Sequence, residues 1–299
     1  MRFIKLLLFI NLIIIFVSCR QSPSVKDEKT YRIGYMICNS EEETLHRFRP
    51  LTAYLAKKLG VKAEAAAIDT TNFTKEIDNL DFTHTNSLLY IILNRYHGVR
   101  ALTADKQGSL GSKSNGAIVT RKDSGINTIK DLKGKSMVFG PMLAPTGYLQ
   151  QYDLMIQSGV DPEDDLSFYT IPTGTYKHEK VIYGVLYGMY DAGAFQMLDF
   201  ERMIEEGRIN RDDFKIIAEG EPIPYCTFGS SQKIDAVLAN TLKKALLELK
   251  KEDTVEIDGE TVKVLARARL DGFEDVKDED YNIVRDIARR ANMPPYQKY

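Results

Sequence analysis

A Thr-Gly pair at the mouth of a helix-like segment is the first place where this sequence could do chemistry. The segment is FGPMLAPTGYLQQYDLMI, Phe139 to Ile156, in which Thr146 and Gly147 follow a short apolar strand and a proline-containing loop. The first amides of a helix lack intrahelical acceptors and the helix dipole favours negative charge there, so this position could hold an anion. Thr146 could equally be a simple helix cap.

The segments around this pair alternate between strand-like and helix-like patterns. Tyr31 to Cys38 is β-rich, and the helix after it places Phe48, Leu51 and Leu55 on one face and stops at Gly60. A second series of the same kind begins near Thr128. Alternating strands and helices predict parallel sheets covered on both faces, and two such series predict two α/β lobes. Ligands in such sheets lie at the carboxyl ends of strands.

Polar residues at the ends of first-lobe strands are candidates for one wall of a binding cleft. Tyr35 and Asn39 lie at the end of the first strand, with Cys38 and Ser40 beside them. His84, Thr85 and Asn86 end another strand and start a helix, which Asn86 could simply cap.

Composition limits the classes of function. The chain has 299 residues, of which 43% are hydrophobic and 27% charged, with a formal net charge of −2. This balance argues against nucleic-acid binding, which needs a basic face. No GxSxG, phosphate-binding loop or GxGxxG follows a strand, so we predict no enzyme activity. Scattered histidines and the lack of a metal-type Cys/His spacing predict no metal site and no cofactor.

The first residues resemble a secretion signal rather than part of a fold. Arg2 and Lys5 precede a short apolar run, Leu6 to Val17, which ends in FVSC. The ending resembles a bacterial lipobox, so we expect residues 1–18 to be removed, Cys19 to carry lipid, and residues 19–30 to form a flexible tether. A plain signal peptide or an uncleaved anchor are the alternatives. The remaining thiols, Cys38 and Cys226, are expected to be free and buried, although they could pair.

Several ordered stretches resemble the PhnD-like family of solute-binding proteins, which are the phosphonate, phosphite and phosphate receptors of ABC importers. These stretches are RFRPLTAYLAKKLG, AIVTRKDSGINTIKDLKGKSMVFG, TGYLQQYDLMIQSGVDPEDD, YGMYDAGAF and DGFEDVKDEDYNIVRDIARRA. The resemblance implies a type II periplasmic-binding-protein fold, with two lobes of mostly parallel sheet flanked by helices and a cleft between them. Residues 31–120 and 226–299 would form lobe I and residues 121–225 lobe II, with crossings near Val119–Lys122 and Tyr225–Gly229.

The resemblance also assigns site residues. Relatives have a Ser-Thr-Ser-Gly run before the anion helix, where this chain has Ala144-Pro145-Thr146-Gly147. Thr146 and the amides of Gly147 and Tyr148 would remain to hold an oxyanion. His178 matches a ligand-facing histidine, and Asp191 matches a carboxylate that contacts the ligand; Asp191 could instead be a helix cap or a buried acceptor. Lys177, part of an insertion, could be solvated or could turn inward as a point charge.

The family resemblance therefore implies an extracytoplasmic, lipid-anchored monomer that captures a small oxyanion such as a phosphonate, phosphite or phosphate. Its partner would be an ABC permease. The same binding module could instead feed a membrane sensor kinase, or take a small molecule without phosphorus.

Overall fold

The computed structural model describes residues 29–298. The predicted signal peptide, Cys19 and nearly all of the predicted tether lie outside the described residues. The strands, in chain order, are β1 (Thr30–Met36), β2 (Lys62–Ile68), β3 (Phe82–Thr85), β4 (Arg100–Lys106), β5 (Lys113–Ser114), β6 (Gly116–Arg121), β7 (Ser136–Phe139), β8 (Phe168–Thr170), β9 (Ala192–Gln196), β10 (Phe214–Glu219), β11 (Ile223–Pro224), β12 (Thr227–Ser230), β13 (Thr254–Ile257), β14 (Glu260–Lys263) and β15 (Gly272–Asp275).

The helices cover the faces of two sheets. They are α1 (Glu41–Leu59), α2 (Phe73–Glu76), α3 (Ser87–His97), α4 (Gln150–Gln157), α5 (Pro162–Asp165), α6 (Lys177–Leu186), α7 (Met197–Glu205), α8 (Ala236–Leu247), α9 (Val264–Ala268) and α10 (Asn282–Arg290). No helix among residues 29–298 is both long and apolar enough to cross a membrane.

Lobe I is built on a six-stranded sheet in the order β15-β4-β12-β3-β1-β2. Strands β1, β2 and β3 pair in parallel, whereas β12 runs antiparallel to both β3 and β4. Helix α1 begins at Ser40, whose hydroxyl accepts from the Glu43 amide, and ends at Gly60 with φ of 66°. It buries Phe48, Leu51 and Leu55 against the sheet, as the helical spacing predicted.

Lobe II is built on a five-stranded sheet in the order β10-β6-β9-β7-β8. Strands β7, β8 and β9 pair in parallel, and β6 is antiparallel to β9 and β10. The predicted two-lobed α/β fold is confirmed. Both sheets are mixed because β6 and β12, which lie close to the crossings, and the edge strand β15 run against the main direction.

The two lobes are joined by a short ribbon in which β5 pairs with β11. Ser114 is opposite Ile223 and Lys113 is opposite Pro224. Strand β6 lies wholly in the sheet of lobe II, so the first crossing precedes the predicted Val119–Lys122 and ends by Gly116. The segment IPYCTFGSS, residues 223–231, is divided into β11 and β12, since the chain passes from the ribbon into lobe I between them.

Helix α10 contacts both lobes. It packs against α3 of lobe I and α4 of lobe II. Arg290 on α10 donates from Nε and Nη2 to the two carboxylate oxygens of Asp153 on α4, at 2.9 and 2.8 Å. Asp153 is buried and also accepts from Gln157. This ion pair is therefore a contact between elements of different lobes.

Candidate functional site

A cleft of about 500 Å³ lies between the lobes. In lobe I its wall comes from the loops that follow β1, β2 and β3, and in lobe II from the loops that follow β7, β8 and β9. Its floor includes the crossing segment before β12. The side chains with polar or thiol groups that line the cleft include Cys38, Asn39, Asp69, Asn86, Thr146, Lys177, His178, Gln196, Tyr225 and Cys226. The ends of six strands therefore meet at one cleft, as expected for ligands that bind at the carboxyl ends of strands.

The segment that opens with Thr146 begins as one turn of π-helix, Pro145–Leu149, before α4. The Leu149 amide donates to the Ala144 carbonyl at 3.2 Å, five residues back. Pro145 has no amide hydrogen, so it fits the first turn, where no intrahelical acceptor is available. The Thr146 hydroxyl donates to the Gln196 side chain at 3.2 Å instead of capping the helix. The simple-cap interpretation of Thr146 is therefore wrong.

His178, at the start of α6, lies against Gly147. A β-carbon built on Gly147 would stand 2.6 Å from His178 Cε1, so the contact requires glycine at this position. The Nδ1 atom is buried without a hydrogen-bond partner. A buried N–H without an acceptor is costly, so the neutral ring keeps its proton on Nε2. Because His178 lines the cleft, the Nε2 edge can donate to a bound anion.

Burial lowers the pKa of His178, since the charged ring would lose its hydration. The unfolded chain then binds more protons than the folded chain as pH falls below the ordinary histidine value of about 6.5. We expect the unliganded protein to lose stability with falling pH in this range, and the His178→Gln variant to lose less. Chemical denaturation of both proteins from pH 7.5 to 5 measures the difference. Parallel pH curves for the two proteins would contradict the assignment.

Opposite charges face each other across the cleft mouth. Lys177 lines the cleft, and its charge helps to lower the pKa of the Asp69 carboxyl, after the larger effect of the Thr71 hydroxyl and amide that donate to it. The inward-facing alternative for Lys177 thus matches the structure. Asp69 and Glu41 of lobe I line the cleft as well, so the formal charge of its lining side chains is not positive.

Gln196, Tyr225, Cys38 and Cys226 also line the cleft, and among them the sequence analysis had placed Cys38 beside the candidates for its wall. Gln196 is the last residue of β9, and its side-chain amide donates to the Tyr225 hydroxyl at 3.3 Å. Cys38 is exposed to the cleft rather than buried as predicted, and desolvation by the cleft walls still raises its pKa to about 11. Cys226 is buried, and burial raises the pKa of its thiol. Both cysteines are free.

Asn86 links the two walls. Its side-chain oxygen accepts from the Leu89 amide at 2.8 Å, which caps α3, and its nitrogen donates to the Leu143 carbonyl of lobe II at 3.0 Å. The cap that the sequence suggested for Asn86 is present, and the same residue also lines the cleft.

Two substitutions of Asn86 separate these contacts. Asn86→Ala removes the cap and should cost about 1 kcal/mol of unfolding free energy. Asn86→Asp keeps an acceptor for the Leu89 amide but cannot donate to Leu143, so it should fold nearly as stably while the lobes open more readily. Urea melts and small-angle scattering measure the two effects. Equal destabilisation by both variants would mean that the bond to Leu143 carries the stability.

Three predicted ligand residues of lobe I turn into the core instead. The Tyr35 hydroxyl bonds the Thr52 hydroxyl at 2.8 Å, and His84 bonds Asp105 at 2.7 Å. Thr85 is 1% exposed. None of the three lines the cleft, because their strand positions point toward buried side chains.

Two predicted residues of lobe II also lie away from the cleft. The Tyr148 amide, the predicted donor, donates to the Ala144 carbonyl at 3.1 Å, and the Tyr148 ring packs against Phe139 and Tyr152 in the core, with centroid distances of 5.0 and 5.6 Å. Asp191 accepts from the amide and hydroxyl of Ser136 at 2.9 and 2.8 Å. The acceptor alternative for Asp191 thus matches the structure, although the carboxylate is exposed rather than buried. Asn39, Thr146 and His178 do line the cleft, and Gly147 supports His178 from behind.

Comparisons with known proteins give one family and two kinds of relative. A family model described as the periplasmic substrate-binding protein of a phosphonate ABC transporter matches residues 33–281. Over 234 residues the chain is 26% identical to the tetrathionate sensor histidine kinase TtrS of Salmonella typhimurium, covering 73% of this chain and 39% of that protein. Over 257 residues it is 23% identical to the phosphate-import protein PhnD of Mycolicibacterium smegmatis, covering 80% and 79%.

A solved structure shares the two-lobed fold. It is PhnD1 from Prochlorococcus marinus in complex with methylphosphonate, with a TM-score of 0.71 and 16% identity, covering 88% of this chain and 98% of that one. The chain spans well under half of the sensor kinase, so the fold of that relative is matched only in part.

Proposed function

The chain belongs to the family of periplasmic substrate-binding proteins of phosphonate ABC transporters, and from this premise we propose that its cleft captures a small oxyanion for delivery to a permease. The observation that supports the ligand class is the convergence of Thr146 and His178. Both line the cleft at the starts of helices, and His178 packs on Gly147, the residue after Thr146. The Thr146 hydroxyl, once it turns from Gln196 to the ligand, the neutral His178 N–H and the Gly147 amide are donors that suit an oxyanion.

The test is a binding screen on the purified chain. Methylphosphonate, phosphite, phosphate and an alkylsulfonate are compared with neutral analogues by calorimetry and thermal shift. Binding of an oxyanion that is lost on removal of its charge supports the proposal. Preference for a neutral analogue would overturn it.

A sulfur oxyanion sensed by a membrane kinase is the second candidate. Ala144 and Pro145 stand where phosphonate-binding relatives have hydroxyls, so fewer donors face the three oxygens of a phosphonate head group. Met36, Met142 and Ile171 add an apolar wall, and a relative that matches most of this chain over part of its own length is a tetrathionate sensor kinase. Tighter binding of tetrathionate than of methylphosphonate would favour sensing, as would a kinase gene rather than a permease gene beside this one.

We also propose that the mature chain is held at the outer face of a bacterial membrane by lipid on Cys19, as a monomer. The short apolar run that ends in FVSC supports this, and more than one acyl chain is needed for firm anchoring. Labelling with a palmitate analogue and partition into detergent should both be lost in Cys19→Ala. A variant that is still labelled would contradict the assignment.

Ligand capture should close the cleft, because the donors proposed here come from lobe II while Asn39 and Asn86 face them from lobe I. The short β5–β11 ribbon is the place where the chain can bend. Small-angle scattering should give a smaller radius of gyration with the best ligand of the screen than without it.

A further inference from the structure

Three strands that are neighbours in the sheet of lobe I bring together a histidine, an aspartate and a cysteine. His84 is on β3, Asp105 is on β4, and Cys226 directly precedes β12, which lies between them. Their ligand atoms all lie within 4.8 Å of one another, and the three residues are 4%, 1% and 7% exposed. Among residues 29–298 this is the group of such side chains with metal-ligand spacing.

The cluster carries a polar atom that the protein leaves without a partner. Asp105 Oδ2 bonds His84 Nε2 at 2.7 Å, but Asp105 Oδ1 is buried and has no hydrogen-bond partner. A buried carboxylate oxygen without a donor or cation is costly. Aromatic rings of Tyr35 and Phe228 enclose His84, with centroid distances of 5.5 and 4.8 Å, so compensation by bulk water is restricted.

We propose that His84, Asp105 and Cys226 form a binding site for a divalent transition metal ion of the Zn²⁺ type. Imidazole nitrogen, carboxylate oxygen and thiolate sulfur are the ligands that Zn²⁺ takes, and three protein ligands leave one position open. Since Cys226 also lines the cleft, the open position can be filled from the cleft by water or by a bound anion. This metal site is independent of which ligand the cleft captures.

The geometry requires one local adjustment. Zinc bonds of about 2.0–2.2 Å to nitrogen and oxygen in a tetrahedral arrangement separate those two atoms by roughly 3.3 Å. The His84–Asp105 distance of 2.7 Å must therefore widen by about half an ångström when the ion replaces the shared proton. A small rotation of either side chain supplies this change. Sequence reasoning missed the cluster because its members lie far apart in the chain and follow no metal-binding spacing.

Cobalt titration of the purified full chain tests the site. Co²⁺ is expected to bind with a stoichiometry of one and to give a thiolate-to-cobalt absorption band in the near ultraviolet, which Zn²⁺ then abolishes by displacement. Zn²⁺ alone should raise the melting temperature. Absence of the thiolate band in the unaltered chain would overturn the proposal, whatever the variants do.

Variants assign the ligands. Cys226→Ser should lose the band, and His84→Gln should weaken Co²⁺ binding at least tenfold. Cys38→Ser is the matched control, since this second thiol lines the same cleft but is not in the cluster, and it should keep the band. A band that survives in Cys226→Ser, or is lost in Cys38→Ser, would place the metal elsewhere and contradict the assignment.

Discussion

Replacing His178 with Ala is expected to weaken binding of the captured oxyanion ten- to a hundredfold. The Nε2 hydrogen is proposed to donate to the charged ligand, and a hydrogen bond to a charged group contributes about 1.5–3 kcal/mol. Thr146→Ala should give a loss of similar size through its hydroxyl. The double variant should lose less than the sum of the two, because both groups would touch one anion. Calorimetry with methylphosphonate, and with tetrathionate in parallel, measures all three.

Gly147→Ala tests whether binding depends on the position of the His178 ring, because it leaves the His178 side chain itself unchanged. Alanine in a helix is ordinarily more favourable than glycine by about 1 kcal/mol. Here the added methyl group would collide with the His178 ring, so we expect weaker binding without any gain in stability. In a His178→Ala background the collision is gone, and Gly147→Ala should then stabilise the protein. Unchanged affinity in both single variants, with normal melting, would place the oxyanion site elsewhere in the cleft.

Replacing Arg290 with Ala is expected to lower the unfolding free energy by about 2–3 kcal/mol. It leaves the Asp153 carboxylate buried with Gln157 as its remaining side-chain donor, and removing one member of a buried pair is strongly destabilising. We expect less than the full effect because the Arg290 side chain is 47% exposed. Urea unfolding, monitored by circular dichroism, measures the loss.

Arg289 on the same helix is the matched control. Its ion pair with Asp286 joins two side chains that are 52% and 58% exposed, and such pairs contribute at most about 1 kcal/mol. Arg289→Ala should therefore change stability little. Equal losses in the two variants would mean that helix α10, rather than its bond to Asp153, carries the effect. Small-angle scattering on Arg290→Ala would also show whether the lobes separate more widely.

Sequence patterns predicted the fold because strand and helix periods are local properties of the chain. They also located Asn39, Asn86 and Thr146 on the cleft, since each follows a strand end where ligands gather, whereas the family resemblance located His178. The same rule applied to β9 would have found Gln196. The rule could not tell which way a side chain points near a strand end, so Tyr35 and His84 were assigned to the ligand and lie in the core.

These sequence patterns could not predict contacts between segments that lie far apart in the chain. The Arg290–Asp153 bond and the His84–Asp105–Cys226 cluster depend on which strands and helices become neighbours. The helix that the sequence opens at the Thr146-Gly147 pair begins as a π turn, Pro145–Leu149, and α4 starts only at Gln150. The helix period does not distinguish a π turn from an α turn.

A fluorescent dye attached to Cys38 would report ligand binding by the protein. Its thiol is exposed and faces the cleft, while Cys226 is buried, so a maleimide dye would attach at one position in a form without Cys19. The raised pKa of Cys38, about 11, calls for labelling at mildly alkaline pH. A dye placed at this wall would pass from water to a crowded surface when the lobes meet, and its emission would record occupancy in real time.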